Sequence, residues 1–150
     1  MPPAMEGDVK TGQAKSFARY VPIVARILMG LPFLAGGLAG VLNLTPQPST
    51  SLPEGAAAFA GALLKTGYMM PLIFVTQLVV GALLLANRFV PLALALIAPF
   101  IVNSVAFHVF LERSGLPIAL AFLALEIYLA WAYGQSYRSM LAMRATPGAE

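Results

Sequence analysis

Residues 68–111 read YMMPLIFVTQLVVGALLLANRFVPLALALIAPFIVNSVAFHVFL. Two apolar runs lie on either side of Asn87-Arg88, and Arg88 is the one Lys, Arg, Asp or Glu in the stretch. A helix that crosses a bilayer needs about 20 apolar residues, and each run is close to that length. The pattern predicts spans over residues 68–86 and 89–111 with a tight turn at Asn87-Arg88. Pro91 lies in the first turn of the second of these helices and Pro99 inside it. An internal proline removes a backbone hydrogen bond and predicts a kink.

Two more spans flank this pair. Glu112-Arg113-Ser114-Gly115 turns the chain, and residues 116–137 form the next apolar run, with Pro117 in its first turn. Upstream, residues 20–42 form the first run, interrupted by Arg26. This run is too long for the apolar region of a cleaved signal peptide. Short connections make the later spans antiparallel neighbours.

Between the first two spans lies the turn-rich segment NLTPQPSTSLP, residues 43–53. Ser51-Leu52-Pro53-Glu54 reads as a capping box, in which serine and glutamate each satisfy an orphan N–H. It predicts a short helix over residues 53–66, with Gly67 at its C′ position. That helix is too short to span and is expected at the membrane interface. Residues 1–18 read as a disordered cytoplasmic tail with some helix near Lys15–Arg19, residues 19–137 as the transmembrane domain, and residues 138–150 as a second cytoplasmic tail.

The expected fold is therefore all-α: an integral membrane four-helix bundle with one short extracytoplasmic interfacial helix. Composition agrees. Hydrophobic residues make up 59% of the 150 and charged residues 10%, against about 25% charged in soluble domains. Mean hydropathy is +0.82. The chain has no cysteine, which rules out a disulfide, a thiolate metal site or a dithiol relay within it. One histidine cannot build a zinc site. The net charge of +3 is scattered at the ends of apolar runs, a topology signal and not a nucleic-acid one.

The positive-inside rule then orients the chain. With both termini cytoplasmic, Lys10, Lys15, Arg19, Arg88, Arg138 and Arg144 lie inside, and Lys65 and Arg113 outside. Tyr20, Tyr68, Trp131, Tyr133 and Tyr137 lie near the expected interfaces, as an aromatic belt would.

Ionisable groups in a bilayer are costly and usually face the bundle interior. At a rise of about 1.5 Å per residue, Gln77 and Asn103 lie about 13 Å, and Glu126 about 15 Å, from the outer ends of their helices. Arg26 lies about 10 Å above Arg19 by the same rise. A buried cluster of Arg26, Gln77, Asn103 and Glu126 is expected. One reading makes Arg26 and Glu126 a structural ion pair with the two amides as interhelical glue; the other makes the cluster a polar pocket for a quinone head group or a proton path. His108, nearer the outer surface, has Ser104 and Glu112 one turn away on the same face. It reads as an interfacial histidine bonded to Glu112 or to a carbonyl, or else as a quinone partner or haem ligand. Bis-histidine haem would need a second histidine from another chain, so the sequence argues against haem and requires no cofactor.

Gly36-xxx-Gly40, with Gly30, Gly37 and Gly81, offers small residues for close helix packing, within the bundle or in a dimer. No catalytic motif is present.

The linked runs Gly67-Tyr68…Pro71-Leu72, Val75 to Leu85, Arg88 to Leu94, and Ala98-Pro99-Phe100-Ile101-Val102-Asn103 through Phe107-His108-Val109-Phe110-Leu111 resemble DoxX-like membrane proteins. The likeness extends from about Ala25 to Tyr137. It implies a four-helix bundle in the bacterial inner membrane, in a family named after a subunit of a thiosulfate:quinone oxidoreductase. Asn103 and His108 keep the family pattern, whereas Gln77 stands where members often carry glutamate. The lack of cysteine separates the chain from thiol-oxidoreductase relatives. The expected function is an accessory or anchoring subunit of a membrane redox assembly, in contact with the lipid bilayer and with other membrane subunits or further copies of itself. The alternatives are a quinone-binding subunit and a small transporter or channel.

Overall fold

The computed structural model describes residues 6–44 and 52–137, with side chains from residue 20 onward. Six helices follow in order: α1 (Glu6–Val41), α2 (Glu54–Lys65), α3 (Met69–Leu85), α4 (Val90–Phe110), α5 (Leu116–Ala132) and α6 (Gly134–Tyr137). No strand occurs among the described residues.

Four of these helices close into a ring. α3 packs against α1 and α4, α5 packs against α4, and α5 returns to α1. The α1/α3 seam is the most extensive and α1/α5 the thinnest. The core runs down the axis through Met29, Val80, Leu84, Leu94, Ile97, Ile101 and Leu129, all below 2% exposed. The outside of the ring is also apolar: Leu28, Leu31, Val75, Val79, Leu96, Val102, Leu120 and Ile127 are all exposed. A helix that is hydrophobic all round suits a large core or a bilayer, not a water-facing surface. Two helices are long and apolar enough to cross a membrane, Tyr20–Val41 within α1 and all of α4. α2 and α3 meet that test only as a pair bent by 89°, and α5 is a shorter apolar helix of 17 residues.

Helix ends follow local chemistry. α1 and α3 both stop with asparagine in the left-handed region, Asn43 at φ 55° and Asn87 at φ 54°. Leu44 N–H bonds the Ala39 carbonyl and Arg88 N–H the Leu83 carbonyl, the long return bond of a Schellman ending. Asparagine tolerates this conformation because its short polar side chain can bond locally. Gly67, at φ 74°, carries the bend between α2 and α3. Thr66 Oγ1 then accepts the N–H of Met69, 3.1 Å away, and starts α3.

Several expectations change. α1 begins at Glu6, so residues 6–18 continue the first helix instead of forming a tail. The last expected span, α5, stops at Ala132, where Tyr133 leaves helical geometry, and α6 follows as a separate turn. Pro53, not Ser51, is the N-cap of α2, which has no side-chain cap. Glu54 is therefore the first helical residue, too early for a capping box. Ser51, the loop over 45–50 and the tail over 138–150 lie outside the described residues.

Candidate functional site: a polar-mouthed cavity at the α4–α5 loop

A cavity of about 530 Å³ opens at the end of the bundle that carries the α4–α5 loop. Its walls come from four helices: Pro32 and Phe33 of α1, Gln77 of α3, Phe100 to His108 of α4, and Ile118 to Phe122 of α5. Aromatic rings make its floor. Phe33 meets Phe100 edge-on at 6.0 Å between centroids and Phe122 at 5.2 Å. The polar groups Gln77, Ser104, His108, Glu112 and Ser114 are set on this apolar lining. An apolar pocket with a few convergent polar groups is the usual form of a small-molecule site.

The mouth is built by one carboxylate. Glu112 accepts the N–H of Ser114 at 2.7 Å and of Gly115 at 3.3 Å, closing the loop onto itself. The Ser114 side chain and the two backbone amides hold its carboxyl down at about 2 against an ordinary 4.5. His108, one turn earlier, places Nδ1 2.8 Å from the Glu112 carbonyl and 3.1 Å from its carboxylate. Both neighbours are acceptors, so Nδ1 carries the proton. Nε2 is then the free end of the ring, a hydrogen-bond acceptor while the imidazole is neutral. No described residue bonds Nε2. Gly115 lets the loop lie flat on the imidazole, because a Cβ there would collide with the ring.

The expected cluster does not form. Gln77 lines this cavity, whereas Asn103 is exposed and lines a different one of about 450 Å³, with Phe59 and Leu63 of α2 and Thr76 of α3. Glu126 lines a third cavity, between α4, α5 and α6. Arg26 and Glu126 are each 8% exposed, and no ion pair joins them. Arg26 instead donates through one guanidinium nitrogen to Asn87 Oδ1 and, at 3.2 Å, to Tyr133 Oη. Its Nε and Glu126 Oε2 are buried without partners among the described residues. Depth along a helix is the same for residues on opposite sides of it, so equal depth did not imply contact.

The glycines face inward. A Cβ on Gly37 would strike the Leu78 backbone, one on Gly81 the Leu34 backbone, and one on Gly40 the Phe74 ring. Gly30 lies against Leu84 and Leu85, and Gly36 beside Gln77. All five lie on the α1/α3 seam, so Gly36-xxx-Gly40 is used within the chain.

Sequence reasoning missed Phe33, Phe100, Phe122 and Gly115 at the cavity, and Asn87 and Tyr133 as partners of Arg26. Aromatics inside an all-apolar run have no periodic signal. Asn87 carried a turn signal that masked its second role, and Tyr133 looked like part of an interfacial belt. Tyr20, Tyr68 and Trp131 are well exposed, but Tyr133 and Tyr137 turn inward to bond Asn87 and the Pro91 carbonyl. Among the described residues no group of three His, Cys, Asp or Glu could hold a metal.

Comparison with protein-family models, curated proteins and solved structures finds no match to this chain.

Proposed function

We propose that this chain is a four-span, DoxX-like protein of the bacterial inner membrane that serves as an accessory subunit of a membrane redox assembly and binds the ring of a lipophilic quinone at its outer cavity. One observation carries the reading: an aromatic-floored cavity with a histidine at its mouth whose Nδ1 is anchored and whose Nε2 is free. A quinone ring is flat and apolar, so it stacks on Phe33, Phe100 and Phe122. A quinol hydroxyl donates to the free Nε2 of neutral His108, and a quinone carbonyl accepts from the same atom once the ring is protonated. Gln77 and Ser104 supply further polar contacts. The hydrocarbon tail leaves along the apolar outside of the bundle.

Helix lengths and charge support a topology with both termini inside. α3 and α5, at 17 residues each, reach about 25 Å by the usual rise, near the lower limit for a bilayer core of about 30 Å. α1, at 36 residues, reaches about 54 Å. Its first turns therefore stand in the cytoplasm with Lys10, Lys15 and Arg19, and α2 lies across the outer end.

The test is purification in mild detergent followed by mass spectrometry of bound proteins and extracted lipids. A quinone should accompany the wild type and fall about tenfold in His108→Ala, a loss of one hydrogen-bonded contact to a buried ligand. Protein that carries neither quinone nor partner subunit would overturn both halves of the reading. A Soret band in the optical spectrum would replace quinone by haem.

A further inference from the structure

Glu126 does not line the quinone cavity but the wall of another, of about 380 Å³. We infer that this second cavity is a binding site for a small hydrophobic ammonium ion. The argument is independent of the quinone reading and uses none of its residues.

The walls are small and apolar: Ala95 and Ala98 from α4, Ala130 from α5 and Gly134 from α6. Tyr137 closes one end, held by its hydroxyl, which donates to the Pro91 carbonyl at 2.8 Å. Into this lining projects one carboxylate. Glu126 is 8% exposed, and its Oε2 has no partner among the described residues. Among the described residues the one buried cation is Arg26, which is bound to Asn87 and Tyr133 and makes no ion pair with Glu126. A carboxylate buried without a partner is costly to ionise, and a ligand that brings a positive charge removes that cost.

Two features narrow the chemistry. A divalent metal is disfavoured, since a single carboxylate supplies one or two of the oxygen ligands that a hard cation needs, and no cluster of metal-ligating side chains occurs among the described residues. A second acceptor is supplied by the backbone. Pro99 has no N–H to offer the carbonyl of Ala95, four residues earlier and on the cavity wall. A carboxylate and a carbonyl freed from its helical bond, on two residues that line one cavity, suit a cation with N–H donors, which an ammonium has and a quaternary ion lacks. The surrounding alanines favour a compact hydrocarbon body, and the Tyr137 ring adds cation–π attraction. Glu126 is six residues from the end of α5, about 9 Å along the helix, within reach of an amphiphile entering from the α6 end.

The test uses three probes with one cage: 1-adamantylammonium, 1-adamantanol and adamantane-1-carboxylate. Binding to the full chain in detergent is followed by ligand-observed NMR and calorimetry. The ammonium should bind saturably, and the alcohol and the carboxylate should not. Glu126→Gln should weaken the ammonium by about tenfold or more, the loss of one charge-assisted contact. Ala130→Leu fills the cavity and leaves the carboxylate in place, so it should produce the same loss even where Glu126→Gln fails to fold. Absence of saturable ammonium binding, equal binding of the alcohol, or unchanged affinity in the variants would overturn the proposal and leave Glu126 as a structural acid.

Discussion

The two ends of this bundle handle polarity in opposite ways. At the α3–α4 turn, Arg26, Asn87 and Tyr133 bond to one another across three elements. At the α4–α5 loop, Glu112 bonds mainly to its own loop and to His108, and a cavity of about 530 Å³ stays open beside them. The first arrangement uses long-range contacts, so it joins helices. The second uses contacts no more than four residues apart, so it shapes a mouth without tying the bundle together. Helix joining should therefore reside at the first end and quinone binding at the second.

The largest effect should come from the seam that both ends share. Gly81→Leu drives a side chain into the backbone of Leu34 and should cost about 3 kcal/mol or more, the upper part of the overpacking range. Thermal unfolding in detergent, read by circular dichroism, should show loss of the folded state. If Gly81→Leu keeps its melting midpoint, the α1/α3 contact is not the backbone of the fold.

Arg26→Ala comes next. It leaves Asn87 and Tyr133 without their shared partner, at a cost of about 2 kcal/mol for a hydrogen bond to a charged group. His108→Ala at the other end should leave the midpoint nearly unchanged while quinone retention falls. Gly115→Ala should copy it, because the new Cβ displaces the imidazole. A melting loss in His108→Ala equal to that in Arg26→Ala would erase the contrast between the two ends.

Acid should affect the α4–α5 end. The Glu112 carboxyl is held near 2 in the fold against an ordinary 4.5. Its stabilisation of the loop is complete above 4.5 and disappears as pH falls through about 2. Hydrogen exchange at Ser114 and Gly115 should rise across that window in the wild type. In Glu112→Gln it should already be raised at neutral pH and change little with acid.

The smallest effect belongs to α2. Gly61 has open space around it, so Gly61→Ala should stabilise the helix by about 0.5 kcal/mol. A loss instead would mean that this face is covered.

Much of the fold was legible because its signals are local. Run length, Asn87-Arg88, Gly67 and the 112–115 turn fixed four helix positions to within a few residues, except where α1 extends back to Glu6 and where Tyr133 breaks the last helix. Contact between helices was less legible. Residue type marked Gly37 and Gly81 for close packing without naming Leu78 or Leu34 as what they would meet. Gln77, Asn103 and Glu126 read as sharing a depth but line three different cavities, and sequence spacing does not record the rotation of one helix relative to the next. The aromatic floor could not be read at all, since Phe33, Phe100 and Phe122 come from three runs in which every neighbour is apolar too.

Arg26 has one further consequence, which concerns synthesis. Its two partners lie 61 and 107 residues downstream. A chain emerging from the ribosome presents its first helix with a guanidinium that has nothing to bond until most of the protein has been made. Arginine at the centre of an isolated membrane helix is disfavoured by about 2.5 kcal/mol or more, and Arg26, in the first third of its span, meets part of that cost. Under the proposed four-span topology, the first helix should therefore wait at the translocon or at the membrane surface until Asn87 and Tyr133 arrive, so that insertion is cooperative and a fragment ending after α1 inserts poorly.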